Sequence, residues 1–263
     1  MSDITIVTAF FDIGRSDWSV EKGYPHYLKR TTETYLDRFA ILAKLDNPMV
    51  IYTSPDLEYK IKQLRGDRKT TIFTIEFDNF YVDLRNKIGD IQKSPLFRNQ
   101  IDPKQLINPE YWNPDYVLIN TLKSTFVRMA FQEEVINTEL AAWMDFGYCR
   151  NVETLNGLTE WKYNFDSNKI HVFSLREMTN INVMNNLIFN KVYITGPCIV
   201  SGKEKWIELE DLIFKNLHIL MDQGFVDDDQ GLLTMSYLTD PDLFDIHMIK
   251  DSEWFIAFKE YSK

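Results

Sequence analysis

The hydrophobic positions of the chain change period several times, and each change marks an element. Ile4 to Phe11 is a run rich in β-branched and aromatic residues, closed by Asp12, Gly14 and Arg15. Such a run predicts a buried, central first strand with a site-forming loop after it. Between Tyr24 and Ala43 the residues Tyr27, Tyr35, Leu36, Phe39, Leu42 and Ala43 recur at helical spacing, so a helix follows. Met49 to Tyr52 predicts a second short strand, with Ser54 or Asp56 placed to cap a helix running through Leu57 to Leu64. Thr70 to Phe77 alternates as a third strand. Strand, helix, strand, helix, strand at this spacing predicts parallel βαβ units, the half-sheet of a nucleotide-binding fold.

The second half continues the pattern. Residues 84–114 are polar and irregular and predict helical pieces with a loop over the site. Tyr116 to Arg128 predicts a helix whose Lys123 and Arg128 either face an anionic ligand or lie on a solvated face. Ala141 to Arg150 is a short apolar run ending abruptly in Asp145 and Gly147, so a buried strand would bring one carboxylate to the rim of the sheet. Open α/β sheets collect ligands outside the carboxyl ends of their strands, where an acid holds a cation or a ribose hydroxyl. Gly147 would let the backbone approach that ligand closely, and the plainer alternative is an Asp that starts a turn. Lys169 to Phe173 and Lys191 to Val200 predict two more strands, and Trp206 to Met221 a helix that contains His218. Val226 to Met235 then runs three carboxylates into another helix. They suit its positive end, but three Asp and Gln230 exceed what one cap requires.

Composition narrows the reading. The chain has 263 residues, is 44% hydrophobic and carries 18 Phe, 13 Tyr and 6 Trp, which suits an enzyme-like globule and not a disordered chain. No Pro/Gly/Ser-rich linker interrupts it, so one domain over residues 1–263 is expected. A net charge of -10 with scattered Lys and Arg disfavours binding to nucleic acid. No apolar run of membrane-spanning length and no charged leader is seen, so a cytoplasmic protein is expected. Cys149 and Cys198 lack metal-ligand or CxxC spacing and are expected to be small buried hydrophobes.

GxGxxG and GxxxxGK[ST] are both missing from the predicted turns, which weakens a dinucleotide oxidoreductase and a P-loop phosphotransferase. Asn151 to Trp161 sets Asn156 and Glu160 beside Trp161. Polar groups next to an aromatic plate are what a sugar ring needs, and a surface loop with one packed Trp is the alternative. His247, on an apolar strand with Asp245 and followed by Trp254, is either a satisfied core residue or a ligand.

Four blocks carry a resemblance: IVTAFFDIGR at 6–15, NPMVIYTSP at 47–55, WMDFGYCR at 143–150 and VDDDQG at 226–231. They resemble the bacterial HtrL/YibB-like proteins, also described as WlaTC/HtrL-type glycosyltransferases associated with lipopolysaccharide or surface-glycan loci. The resemblance implies a GT-A-like fold, a mixed and mostly parallel central sheet flanked by helices. More distantly, DQGLL at 229–233 is similar to the Asp-Gln-Gly helix segment of glycogenin-like transferases, in which a DxD pair and a late His bind Mn²⁺.

On that basis the donor is a nucleoside diphosphate sugar and the acceptor a glycan, with contact at the inner face of the membrane open to it. Thr8, Ala9, Phe10 and Arg15 would hold the nucleotide, Lys123 and Arg150 the phosphates, and Asp145 with Gly147 the ribose. Asp145 and His247 would ligate Mn²⁺ or Mg²⁺, although Gly147 stands where the second DxD acid belongs. Asp228, Asp229 and Gln230 would orient the acceptor or serve as base. Asn156, Glu160 and Trp161 would bind sugar. Two rivals stand beside this reading: a non-catalytic sugar- or nucleotide-binding protein of GT-A shape, and a metal-dependent hydrolase or phosphotransferase built on Asp227 to Asp229.

Overall fold

The computed structural model describes residues 2–250 and 253–262. Its strands are β1 (Ser2–Phe10), β2 (Met49–Thr53), β3 (Thr70–Thr74), β4 (Leu140–Met144), β5 (Lys162–Tyr163), β6 (Ile170–Ser174), β7 (Ile194–Gly202) and β8 (Phe244–Met248). Its helices are α1 (Thr32–Leu42), α2 (Glu58–Arg65), α3 (Val82–Lys93), α4 (Pro95–Arg98), α5 (Pro114–Thr121), α6 (Lys123–Gln132), α7 (Val183–Phe189), α8 (Lys203–Asp222), α9 (Asp229–Thr239) and α10 (Ala257–Glu260).

The strands form one sheet in the order β3-β2-β1-β4-β7-β6-β8, with β5 added to the start of β1. Along that path β7 alone runs against its neighbours. The sheet is therefore mixed and mostly parallel, flanked by helices, as expected.

Alternation along the strands makes two cores. Val7, Ala9, Tyr52 and Trp143 face one side, under α3, α5, α6, α8 and α9. Ile4, Ile6, Phe10 and Ala142 face the other, under α1, α2 and α10. Burial of apolar surface on both faces explains why β1, β2 and β4 read as continuous hydrophobic runs. Arg65 is fully buried at the end of α2, yet its donors are satisfied: Nη1 donates to Ala43 O and Leu45 O, Nη2 to Asn47 O, and Nε to Thr70 Oγ1. It fixes the path from α1 into β2.

Several boundaries differ from expectation for local reasons. The helix expected over 24–43 starts only at Thr32, because Pro25 and Lys29 are extended and Thr31 accepts the Thr34 N–H as its cap. Neither Ser54 nor Asp56 caps α2, since a 3-10 turn at Pro55–Leu57 intervenes. The helix expected over 116–128 breaks at Leu122, so that Lys123 starts α6. Residues 84–114 form the expected helical pieces joined by the turns of 99–108, and Trp112, just after a 3-10 turn, packs against Trp18 and Tyr24. No helix among the described residues is long and apolar enough to cross a membrane.

Candidate functional site

After β1 the chain builds β2 and β3 on one side, then returns through α3 to α6 to place β4 on the other. The carboxyl ends of β1 and β4 therefore diverge at a topological switch point, the place where open α/β sheets bind ligands. A cleft with about 790 Å³ of free space, mouth included, opens there. Ala9, Phe10 and Asp12 line it from β1, Trp143, Asp145 and Gly147 from β4, and Tyr116 and Lys123 from α5 and α6.

Its floor is a buried charge bridge. Lys123 Nζ lies 3.0 Å from Asp145 Oδ1 and 2.7 Å from Asp229 Oδ2, and donates to Gly196 O at 3.1 Å. Trp143 Nε1 donates to the same Asp145 oxygen at 3.0 Å. Burial alone would push the Lys123 ammonium down, but Asp145 and Asp229 outweigh it and hold it above the usual lysine value. Asp229 reaches this position because residue 196 is glycine: a Cβ there would lie 1.5 Å from Asp229 Oδ2.

The wall is cationic. Arg15 is buried, donating Nη1 to Tyr35 Oη at 2.7 Å and Nη2 to Leu28 O at 3.1 Å, with its guanidinium 5.0 Å from the Trp18 ring centre. Arg30 and Arg150 also line the cleft, Arg150 lying over Phe255 at 4.4 Å. Arg38 stands close behind Gly147 with a buried Nη1 that has no hydrogen-bond partner. Among the described residues none of these four arginines has a carboxylate within 4.0 Å. In a chain of net charge -10, the cleft thus carries three lining arginines, with Arg38 behind them, and two carboxylates, Asp12 and Asp145, a cationic excess that suits an anion.

Beyond the bridge, Asp228 caps α9 by accepting the Gln230 N–H at 3.0 Å. Asp227, Asp228 and Gln230 line a second, smaller cleft with Asn186, Asn190 and Lys191. Glu110 joins this group, accepting from Asn190 Nδ2 at 2.6 Å. Burial pushes Glu110 up to about 8 and Asp227 up to about 7, and lifts Asp228 well above the usual carboxylate range.

Of the residues singled out from sequence, Ala9, Phe10, Arg15, Lys123, Asp145, Gly147 and Arg150 meet at the switch-point cleft, and Asp229 reaches its floor through Lys123. Others are placed elsewhere. Thr8 is fully buried within β1 and does not line the cleft. Gly147 lines the cleft and also packs closely on Tyr35, whose ring carbon would lie 3.1 Å from an added Cβ. Arg128 pairs with Glu210 at 2.6 Å, away from the cleft.

Trp161 cannot be a stacking plate, because it is fully buried, donates Nε1 to Tyr261 O and meets Phe258 edge-on. It lies by Asn47, which precedes β2 and so marks the amino ends of the strands, and its N–H donates to Asn47 Oδ1. Asn156 is an exposed left-handed residue ending a 3-10 turn, and Glu160 pairs with Lys162, so this trio does not form a sugar platform. His247 lies on β8, with β7 and β6 between it and β4. Three strand spacings, about 14 Å, separate the two strands, too far for one cation to join His247 to Asp145. Both cysteines are free and buried, and burial pushes the Cys149 thiol up to about 12.

Arg30, Tyr35, Arg38, Trp143, Glu110 and Asn190 were not anticipated. Arg30 precedes the Thr31 cap of α1 and Arg38 lies within the helix, where no motif marks either, and Glu110 falls in the irregular 84–114 stretch.

Residues 2–263 match the family described as "Bacterial protein of unknown function (HtrL_YibB)". The chain belongs to the HtrL_YibB family. It is 39% identical over 262 residues to Protein HtrL of Escherichia coli (strain K12), covering 98% of this chain and 92% of that one. Among solved structures, the HtrL_YibB chain is similar to the crystal structure of mouse xyloside xylosyltransferase 1, apo form, with a TM-score of 0.44, 12% identity, and coverage of 99% of this chain and 95% of that chain. A likeness of that size carries no functional argument.

Proposed function

We propose that this HtrL_YibB chain is a GT-A-like glycosyltransferase that moves a sugar from a nucleoside diphosphate sugar to a glycan acceptor. We place that step in lipopolysaccharide or surface-polysaccharide biosynthesis, in the cytoplasm at the inner face of the membrane. The observation that carries the reading is the set of arginines without acidic partners around a cleft at the switch point between β1 and β4.

A diphosphate leaving group gathers negative charge as the glycosidic bond breaks, and fixed cations aimed at it stabilise the transition state. Arg15, Arg30 and Arg150 would take the diphosphate, while the partly exposed Asp145 accepts a ribose hydroxyl. Phe10 supplies an apolar wall, stacked on Phe146 with centroids 5.0 Å apart. Asp228 and Gln230, in the adjoining cleft, would orient the acceptor or sugar, and Asp227 beside them, pushed up to about 7 by burial, suits a general base.

The divalent cation expected of such a site does not fit the residues present. The Asp145 oxygen that would meet it already accepts from Lys123 and Trp143, and His247 stands strands away. The Lys123 ammonium holds the place between Asp145 and Asp229, and no step is drawn through a metal. The rival hydrolase built on Asp227 to Asp229 is disfavoured by the same geometry, since Asp229 is bound to Lys123 and one oxygen of Asp228 caps α9.

The test is a thermal-shift panel of UDP-, GDP-, ADP- and CMP-sugars with and without Mn²⁺, on wild type and Arg150→Ala. A ligand at one hundred times its Kd stabilises by about 2.7 kcal/mol. The expected result is a shift with one nucleotide class, indifferent to Mn²⁺ and reduced in Arg150→Ala. No shift across a saturating panel overturns the donor assignment.

A further inference from the structure

The transferase reading leaves one chemically distinctive cluster unused, at the far edge of the sheet. β6 and β8 are parallel, with His171 in register with Asp245 and Phe173 with His247. Residues 171, 245 and 247 therefore project from the same face of two adjacent strands. His171 Nδ1 lies 3.0 Å from His247 Nε2 and 3.4 Å from Asp245 Oδ2, and one ligand atom from each of the three side chains lies within 4.8 Å of the others.

The protonation state of His171 is decided by its other nitrogen. Nε2 lies 2.9 Å from Asp166 O, and a backbone carbonyl only accepts, so Nε2 carries the proton. Nδ1 is left with its lone pair turned toward His247 and Asp245. An imidazole oriented through its outer N–H by a backbone carbonyl is how metal-ligating histidines are held. With no cation present, His247 Nε2 donates its own proton to that lone pair; moving the proton to His247 Nδ1 frees Nε2 as a second ligand.

We propose that His171, Asp245 and His247 form a binding site for a divalent transition-metal ion, zinc foremost, that ties edge strand β8 to β6. Zinc–nitrogen bonds of about 2.05 Å place tetrahedral ligand atoms about 3.3 Å apart, which the spacings of 3.0 and 3.4 Å already match, while the Asp245–His247 pair, within 4.8 Å, closes by a side-chain rotation of the half-exposed Asp245. Two imidazoles and one carboxylate select zinc or its neighbours over Mg²⁺ or Ca²⁺, which prefer all-oxygen sets. Phe165, Phe173 and Tyr261 wall the two imidazole rings, with centroids 4.7 to 5.4 Å from the nearer one. Asp245 is half-exposed, which leaves the fourth position to water. The site does not rest on the transferase reading, because β7 lies between it and the cleft strand β4 and none of its three residues lines the cleft.

Untagged full-length protein, stripped of metal with a chelator and exchanged into chelator-free buffer, is titrated with Zn²⁺ by calorimetry and with Co²⁺ by visible absorption. The expected result is one saturable equivalent, the absorption bands of four-coordinate Co²⁺, and a raised Tm. His247→Gln should weaken binding at least tenfold, and Asp245→Asn should weaken it while leaving the metal-free Tm in place. Asp145→Asn should bind as wild type does. Absence of a saturable equivalent in wild type, or unchanged affinity in folded His247→Gln, overturns the proposal.

Discussion

Lys123 Nζ sits 2.7 Å from Asp229 Oδ2, joining the first residue of α6 to the first residue of α9 across 106 positions of sequence. Both side chains are buried, and the same ammonium holds Asp145 at the end of β4. The bridge therefore fixes three elements around one charge. Removing one partner of a buried pair leaves an uncompensated charge and costs about 3–5 kcal/mol. Lys123→Ala should lower stability by that amount in urea denaturation; a loss below about 1 kcal/mol would show the bridge to be dispensable.

Gly196→Ala places a Cβ 1.5 Å from Asp229 Oδ2 and 2.5 Å from its Cγ, so the carboxylate must leave Lys123. An overpacking cost of about 1–3 kcal/mol is expected. In an Asp229→Ala background the clash disappears, and the same substitution should cost much less. Equal costs in both backgrounds would show that the contact is not the reason for glycine.

The pH dependence of stability follows from Glu110 and Asp227. Burial raises Glu110 from 4.5 to about 8 and Asp227 from 3.8 to about 7, so between those limits the folded state holds protons that the unfolded chain has lost. Stability then falls as pH rises through this window. Glu110→Gln keeps the acceptor for Asn190 and should remove part of the slope. Urea midpoints at pH 5, 6, 7 and 8 decide it, and a slope unchanged in Glu110→Gln would assign the dependence elsewhere.

Arg30→Ala should leave Tm unchanged, because Arg30 has no acidic partner to lose, while reducing the stabilisation by whichever nucleotide sugar shifts wild type. A fall in Tm without any change in the ligand-induced shift would make Arg30 structural.

Trp161→Ala removes a fully buried indole and should cost about 3–5 kcal/mol. The milder Trp161→Phe should keep the nucleotide-dependent shift at wild-type size. Loss of that shift in folded Trp161→Phe would restore a binding role to this tryptophan.

What the sequence determined by itself was local and periodic. The apolar runs at 4–11, 49–52 and 141–144 had to be buried strands, because alternation was missing and both faces needed cover. Asp145 stood out since a carboxylate directly after such a run is placed to reach the sheet rim, and the 227–229 triplet since one Asp before an apolar run caps a helix. Tertiary structure decided what those groups face. Strand order is not written in any local period, so only the folded chain could put β7 and β6 between Asp145 and His247, set His247 against His171, and turn Lys123 from a surface cation into the buried partner of two acids. The same holds for Trp161, which looks like a sugar plate in a polar stretch until Asn47 and Tyr261, 114 and 100 residues away, close over it. Periodicity reports which side of an element is apolar, whereas charge pairing and ligand geometry depend on long-range packing that periodicity does not encode.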